Sequence, residues 1–134
     1  MAEPITQCDV DFRVRYSEVD QMGVVHHSRY WVYFEMGRTE LLRRQGTAYA
    51  DLEREGVLLA VVNCSARFRA AAGYDELLTL TTRIGEVRRA SITHEYEVRR
   101  KADGVLICTG RTTLACIDRD RRVIPLPPAI RHGP

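Results

Sequence analysis

Apolar and charged residues alternate strictly along residues 9–16, DVDFRVRY. The apolar positions are Val10, Phe12, Val14 and Tyr16. Because successive side chains of a strand point to opposite faces, this segment is predicted to be a strand with one buried face.

The pattern becomes helical after residue 27, with apolar positions three and four residues apart. They are Tyr30, Tyr33, Phe34, Gly37 and Leu41. Ser28 is the predicted N-cap and Gly46 the predicted stop. Since glycine lowers helix propensity, Gly37 indicates a close approach to another backbone.

The rest of the chain predicts a short helix over residues 49–55, ending at Gly56, and then four strands. The strands cover residues 57–69, 77–87, 91–98 and 105–117. Asp103–Gly104 is a hairpin signal before the last strand. On the strand over residues 91–98, one face carries Ile92, His94, Tyr96 and Val98.

One long helix among five strands predicts a single α+β domain, residues 1–134, with an antiparallel sheet wrapped around the helix. The helix is apolar enough to be buried on more than one side. A single curved sheet would leave an edge or a back face open. Self-association is therefore expected.

Composition excludes some function classes. A net charge of +2 is too small to indicate nucleic-acid binding. No apolar run approaches the roughly 20 residues that span a bilayer. The N-terminus lacks the basic-then-apolar pattern of a secretory signal, so a cytoplasmic location is expected.

The four cysteines are far apart and show no CxxC spacing; they are Cys8, Cys64, Cys108 and Cys116. They are interpreted as small buried hydrophobic residues, not as a zinc site or a disulfide framework. His26 and His27 are adjacent, and neighbouring residues rarely point at one ion. No metal site is predicted.

Several catalytic motifs are absent from the sequence: GxSxG, GxGxxG, GxxxxGK[ST] and HExxH. What remains is a lone acid, Asp20, in a turn just ahead of Gly23 and the aromatic helix. Aspartate is common in turns, so Asp20 taken alone has a purely structural interpretation.

The run DQMGVVHHSRYWVYFEMGRTELLR resembles the signature of hotdog-fold acyl-CoA thioesterases, in particular the 4-hydroxybenzoyl-CoA and Tol-Pal-associated groups. RFRAAAGYDELLTL and RVIPLPPAI extend the resemblance over nearly the whole chain. Two positions depart from the family pattern. His26–His27 stands where many relatives have Tyr-His, which can alter the acyl pocket, and Ala71 stands where relatives often have proline.

The resemblance implies a hotdog fold and hydrolysis of an acyl-CoA thioester to a carboxylic acid and CoA, without a metal or redox cofactor. It also implies a homo-oligomer, a dimer or a dimer of dimers, with active sites at the subunit interface.

Asp20 is the predicted catalytic acid, either as the nucleophile or as the base that activates water. The helix start near His27 and Ser28 offers backbone N–H groups that can polarise the thioester carbonyl. His27 is also a candidate catalytic residue, because its ring can orient Asp20 or protonate the leaving thiolate. A structural role for His27 stays open.

The predicted substrate-binding residues are Gly23, Val25, His26, Ser28, Tyr30, Arg88 and Arg89. Gly23 would let the substrate pass close to the loop. Arg88 and Arg89 can hold CoA phosphates, although a turn with two arginines is often only solvated. Glu35 and Arg38 are interpreted as an intrahelical or interface ion pair.

Two other functions remain open at this stage. One is a thioesterase that acts on acyl groups carried by acyl carrier protein. The other is a non-catalytic acyl-CoA-binding module, which has no evident need for a carboxylate at Asp20.

Overall fold

The computed structural model describes residues 4–131. Its five strands form one antiparallel sheet in the order β1-β3-β4-β5-β2. The strands are β1 (Gln7–Arg13), β2 (Leu58–Phe68), β3 (Leu77–Val87), β4 (Ser91–Arg100) and β5 (Leu106–Ile117). The predicted five-stranded antiparallel sheet is confirmed.

One helix is long: α1 (Ser28–Arg44) has 17 residues. Two short helices, α2 (Tyr49–Arg54) and α3 (Pro128–Arg131), and a 3₁₀ turn (Tyr16–Glu18) complete the fold. Gly46 follows the end of α1 with a φ of +97°, as expected of a glycine that stops a helix. None of the helices within residues 4–131 is long and apolar enough to cross a membrane.

The apolar stripe predicted for α1 is buried against the sheet. Phe34 stacks on Tyr96 of β4, with ring centroids 4.3 Å apart. A Cβ at Gly110 of β5 would lie 2.3 Å from the Phe34 ring, so this glycine is what lets the ring approach the sheet. The close approach predicted at Gly37 is present, but its neighbours are side chains of β3 and not a backbone.

Two apolar clusters fill the space between α1 and the sheet. The first surrounds Phe34 and the second surrounds Leu42. On each of four elements a buried polar residue separates the two clusters; these residues are Arg38 on α1, Thr82 on β3, His94 on β4 and Thr112 on β5. We call these four residues the polar layer. His94 lies directly opposite Thr112 in the β4–β5 register.

Three expectations about burial are wrong. Tyr16 is 77% exposed because β1 ends at Arg13 and the chain then turns. Val32 on α1 is 49% exposed, so within one chain the sheet covers the helix on one side only. Cys64 is exposed on β2, an edge strand, whereas the other three cysteines are buried as expected.

Candidate active site

Asp20 lies in a tight turn whose shape is fixed by backbone hydrogen bonds. The Asp20 N–H donates to the Val24 carbonyl at 3.0 Å, and the Gly23 N–H donates to the Asp20 carbonyl at 2.9 Å. The Met22 N–H donates to the Asp20 carboxylate at 2.9 Å. One carboxylate oxygen is therefore held by the turn while the side chain stays partly exposed.

Gly23 is required by the conformation of this turn. Its φ is +79°, a left-handed value that other residues adopt at a cost. A Cβ built on Gly23 would have no neighbour within 4 Å. The left-handed backbone alone therefore explains the glycine. The predicted reason, room for the substrate to pass close to the loop, is not needed.

Glu18 anchors the turn to the body of the protein. Its side chain is buried, and its carboxylate accepts the Arg15 N–H at 2.7 Å. Its backbone carbonyl accepts the His26 N–H at 2.9 Å. Burial, followed by the negative charge of Glu18, raises the pKa of the neighbouring Tyr33 phenol. The loop that carries Asp20 is thereby joined to the start of α1.

The start of α1 differs from the prediction. Ser28 is the first helical residue and His27 the N-cap, so Ser28 is not the capping residue. His26 supplies the acceptor instead: the Ser28 N–H donates to His26 Nδ1 at 3.2 Å, and the Ser28 hydroxyl lies 2.8 Å from the same nitrogen. Because a backbone N–H can only donate, Nδ1 carries the lone pair and the ring proton lies on Nε2.

The backbone N–H of His27, the residue before Ser28, has no partner in this arrangement. Within residues 4–131 the His27 N–H has no hydrogen-bond acceptor, whereas the Arg29 and Tyr30 N–H groups donate to the carbonyls of His26 and His27. An unpaired N–H at the positive end of a helix is suited to an oxygen that gains negative charge.

Asp20 and His27 line one surface groove, with a volume of about 430 Å³. We call it the Asp20 groove. Its other lining residues are Met22, Val24, Val25, Tyr30, Phe68, Arg69, Ala70 and Ala71. Burial raises the pKa of Tyr30 to about 12, so its phenol is neutral at physiological pH. The groove lining thus combines mostly apolar residues with the acid Asp20, the cation Arg69 and His27.

The structure brings together only some of the predicted site residues. Asp20, Val25, His27 and Tyr30 line the groove. Gly23, His26 and Ser28 shape the turn and the helix start from outside it. Within residues 4–131 no hydrogen bond joins Asp20 to His27, and the His26 and His27 rings lie side by side with centroids 4.2 Å apart.

Arg88 and Arg89 lie elsewhere. They form the exposed turn between β3 and β4, where Arg88 pairs with Glu86 at 2.9 Å. The groove lies at the other end of β3, since Val24 bridges to Gly73 just before that strand. A strand of this length spans about 30 Å. Within one chain, these arginines are far from Asp20.

The wall formed by residues 68–71 was not predicted as part of the site. The Val25 N–H donates to the Ala72 carbonyl at 2.8 Å, which draws this segment against the Asp20 turn. Arg69 brings the groove its one positively charged side chain. The only signal in the sequence was the family-like run RFRAAAG, which does not show on which side of the sheet its residues fall.

Within residues 4–131, no group of three or more histidine, cysteine, aspartate or glutamate side chains is arranged to hold a metal ion. The chemistry that the groove residues can supply is that of the Asp20 carboxylate and of His27, whose backbone N–H is unpaired within residues 4–131.

A family model described as the thioesterase-like superfamily matches residues 14–133. The chain belongs to this superfamily. The match covers both the Asp20 turn and α1, and it confirms the family resemblance and the enzyme class inferred from the sequence, a thioester hydrolase.

Named relatives and solved structures agree with this membership. The chain is 34% identical over 107 residues to the acyl-CoA thioesterase YbgC of Haemophilus influenzae, covering 79% of this chain and 77% of the relative. TT1821 of Thermus thermophilus has a crystal structure with a TM-score of 0.87 at 37% identity, covering 95% of this chain and 94% of that one.

A DHNA-CoA thioesterase from Staphylococcus aureus has a TM-score of 0.83 at 29% identity, covering 90% of this chain and 79% of that one. The likeness to these structures confirms that this thioesterase-like protein has the hotdog fold.

Proposed function

We propose that the protein is an acyl-CoA thioesterase that hydrolyses an acyl-CoA to a free carboxylic acid and CoA. One observation carries the proposal: Asp20 and His27, whose backbone N–H has no acceptor within residues 4–131, line the same partly apolar groove. The names of the Haemophilus and Staphylococcus relatives support CoA thioesters as the substrates.

In this mechanism the thioester carbonyl oxygen accepts the His27 N–H, whose position at the helix start stabilises the oxyanion that forms. Asp20 either attacks the carbonyl carbon, forming an anhydride that water then hydrolyses, or removes a proton from the attacking water. In both cases a C–O bond forms, the C–S bond breaks and the thiolate takes up a proton. His27 lines the same groove, and we assign its ring as the donor of that proton.

The exposed edge of the sheet supports a homo-oligomer. Val61, Val62 and Phe68 are exposed on β2, which has a strand neighbour on one side only. Phe68 also lines the Asp20 groove, so a subunit on this edge would adjoin the site. Arg88 and Arg89 are far from the groove of their own chain. They can therefore hold CoA phosphates only for the groove of another subunit.

The test is release of free thiol from a panel of acyl-CoA thioesters by the purified protein. Asp20→Asn keeps the shape of the side chain but removes the nucleophile or base, so kcat is expected to fall by about 100-fold or more. Asp120→Asn, at an exposed acid that does not line the groove, is the matched control and should keep full activity.

Full activity in Asp20→Asn would contradict the mechanism. Binding of acyl-CoA without turnover across the panel would favour the non-catalytic binding module. Competition between CoA and acyl-carrier-protein substrates, repeated with Arg88→Ala and Arg89→Ala, separates the two carriers. Entry of labelled oxygen from the solvent into the Asp20 carboxylate in a single turnover would identify the nucleophilic route. The cytoplasmic location remains a prediction.

A further inference from the structure

Arg38 is a buried cation near the middle of α1. Only 9% of the residue is exposed, and a guanidinium stays charged at any physiological pH. Among the described residues 4–131, the nearest carboxylate oxygen is Glu35 Oε2, which lies 3.9 Å from Arg38 Nη2, beyond hydrogen-bonding distance. The Glu35 side chain is itself 70% exposed, so this pair is weak. A mostly buried cation that has only a weak ion pair and uncharged hydroxyl groups around it is unusual in a folded protein.

The surroundings of Arg38 do not neutralise it. Burial, together with the charge of Arg38, lowers the pKa of His94 to about 4, so this histidine is neutral at pH 7. The Tyr96 hydroxyl bonds to the Thr112 hydroxyl at 2.6 Å and also interacts with the Arg38 side chain, but both hydroxyls are uncharged. Arg38 is therefore the only charged member of the polar layer.

The guanidinium is accessible from outside through a cavity of about 200 Å³. We call it the Arg38 cavity. Its lining residues come from α1, β2 and β5: Trp31, Val32, Glu35, Arg38, Val61, Cys64 and Thr112. The cavity thus has mainly uncharged walls, an exposed carboxylate at its side and a buried cation.

The Arg38 cavity and the Asp20 groove lie along the same two elements. On α1, His27, Trp31 and Arg38 fall within one helical stripe, because spacings of four and seven residues return to the same face. His27 and Arg38 are 11 positions apart in the sequence, which is about 16 Å along the helix axis. Because helix side chains lean toward the N-terminus, the guanidinium lies closer than that to the groove.

The strand side gives a similar separation. Phe68 lines the Asp20 groove and Cys64 lines the Arg38 cavity. Four residues of strand correspond to about 13 Å. By these two estimates, the residues that line the Asp20 groove lie roughly 13 to 16 Å from those that line the Arg38 cavity, along the same α1–β2 surface.

We propose that the Arg38 cavity is a subsite for an acidic group at the far end of the substrate's acyl chain. The corresponding substrate class is the ω-carboxyacyl-CoA thioesters, with chains of medium length. A carboxylate there would accept hydrogen bonds from the guanidinium and compensate its buried charge. This proposal rests on the function proposed above, since it places the reacting thioester at Asp20.

The kinetic test compares kcat/KM for pairs of substrates that differ only in the terminal carboxylate: suberoyl-CoA against octanoyl-CoA, and sebacoyl-CoA against decanoyl-CoA. The wild-type protein should prefer the carboxylated member of at least one pair by roughly 10-fold or more. Arg38→Met, similar in length but uncharged, should abolish that preference.

Two further variants make the result specific. Arg43→Met removes an exposed arginine from the same helix and should leave the ratio unchanged. Glu35→Gln removes the exposed carboxylate that would repel the ligand, so the ratio should rise about threefold. Because Glu35 is on the surface, this variant remains informative if Arg38→Met does not fold.

A binding measurement separates this proposal from the thioesterase itself. Suberate and octanoate are titrated calorimetrically into Asp20→Asn protein, with and without Arg38→Met. Tighter binding of suberate that depends on Arg38 supports the subsite even if no acyl-CoA is hydrolysed. The subsite is overturned if acyl-CoA is hydrolysed without any preference for a terminal carboxylate and the two acids bind equally. That result would not contradict the thioesterase activity.

A second copy of the chain is the competing occupant, because the cavity reaches the β2 edge. If Arg38→Met changes the molar mass measured by light scattering but not the substrate ratio, Arg38 serves a subunit contact and the subsite is overturned.

Discussion

Polar groups lie in opposite settings at two places along α1. At its N-terminal end, Asp20 and the neighbouring histidines are partly or fully exposed, and backbone hydrogen bonds set their positions. In its middle, Arg38 and His94 are buried, and side-chain packing sets their positions. The first arrangement leaves a carboxylate and a backbone donor open to a ligand. The second keeps a cation inside the protein, where it affects stability as well as binding.

The largest expected effect on stability concerns packing beside the polar layer. Gly110→Ala would bring a Cβ to 2.3 Å from Phe34, whose ring is held in place by its stacking on Tyr96. We expect a loss of about 3 kcal/mol in the free energy of unfolding. Urea denaturation measures it, and an unchanged midpoint would show that the ring can move.

The next effect is the pH dependence caused by His94. Its pKa is about 4 in the folded protein and 6.5 when unperturbed, so protons bind preferentially to the unfolded chain as the pH falls below 6.5. The stability linked to a neutral His94 is full above pH 6.5 and is lost as the pH falls toward 4, by up to about 3 kcal/mol.

Urea denaturation at pH 7, 5 and 4 measures this loss. A His94→Leu variant should lose less stability than the wild type over that range. If His94→Leu and the wild type lose equal stability between pH 7 and pH 4, His94 is not the cause of the pH dependence.

A smaller effect is expected at the turn. Gly23 has a φ of +79° but open space around it. Gly23→Ala should therefore cost about 1 kcal/mol through backbone conformation alone. Gly23→Asn should recover part of it, because asparagine tolerates the left-handed region. Thermal denaturation measures the melting temperatures of the two variants. Equal melting temperatures for Gly23→Ala and Gly23→Asn would exclude a conformational cause.

The smallest effect is at the helix start. His26→Ala removes the acceptor of the Ser28 N–H and should destabilise the protein by about 0.5 to 1 kcal/mol. His26→Asn offers a side-chain oxygen in its place and should restore most of the loss. If alanine and asparagine are equivalent here, the His26 ring does not cap α1.

The sequence predicted elements well where a pattern repeats. The strand over residues 77–87 and the stripe on α1 follow from alternation and helical spacing, and both agree with the structure. Asp20 was predicted to be a site residue only through a family-like motif, since an acid in a turn has no distinctive pattern of its own, and its role stays a prediction.

Features that depend on a single contact were not predictable. Ser28 has the composition of an N-cap, but the adjacent His26 ring takes its place. The polar layer was not predicted, because Arg38 and Thr112 become neighbours only when the strands pair and α1 packs on the sheet. Residues 68–71 were missed as a wall for the same reason: a hydrogen bond between loops places them there.

The uneven burial of the cysteines has a practical consequence. Burial raises the pKa of Cys8, Cys108 and Cys116, that of Cys108 to about 12, so these three thiols are poorly nucleophilic in the folded protein. Cys64 alone is exposed, and it lines the Arg38 cavity. A maleimide dye would thus label the native chain at one position and report directly on occupancy of that cavity. The same thiol would add background to any assay that detects CoA by its sulfhydryl, and a Cys64→Ser protein would remove it.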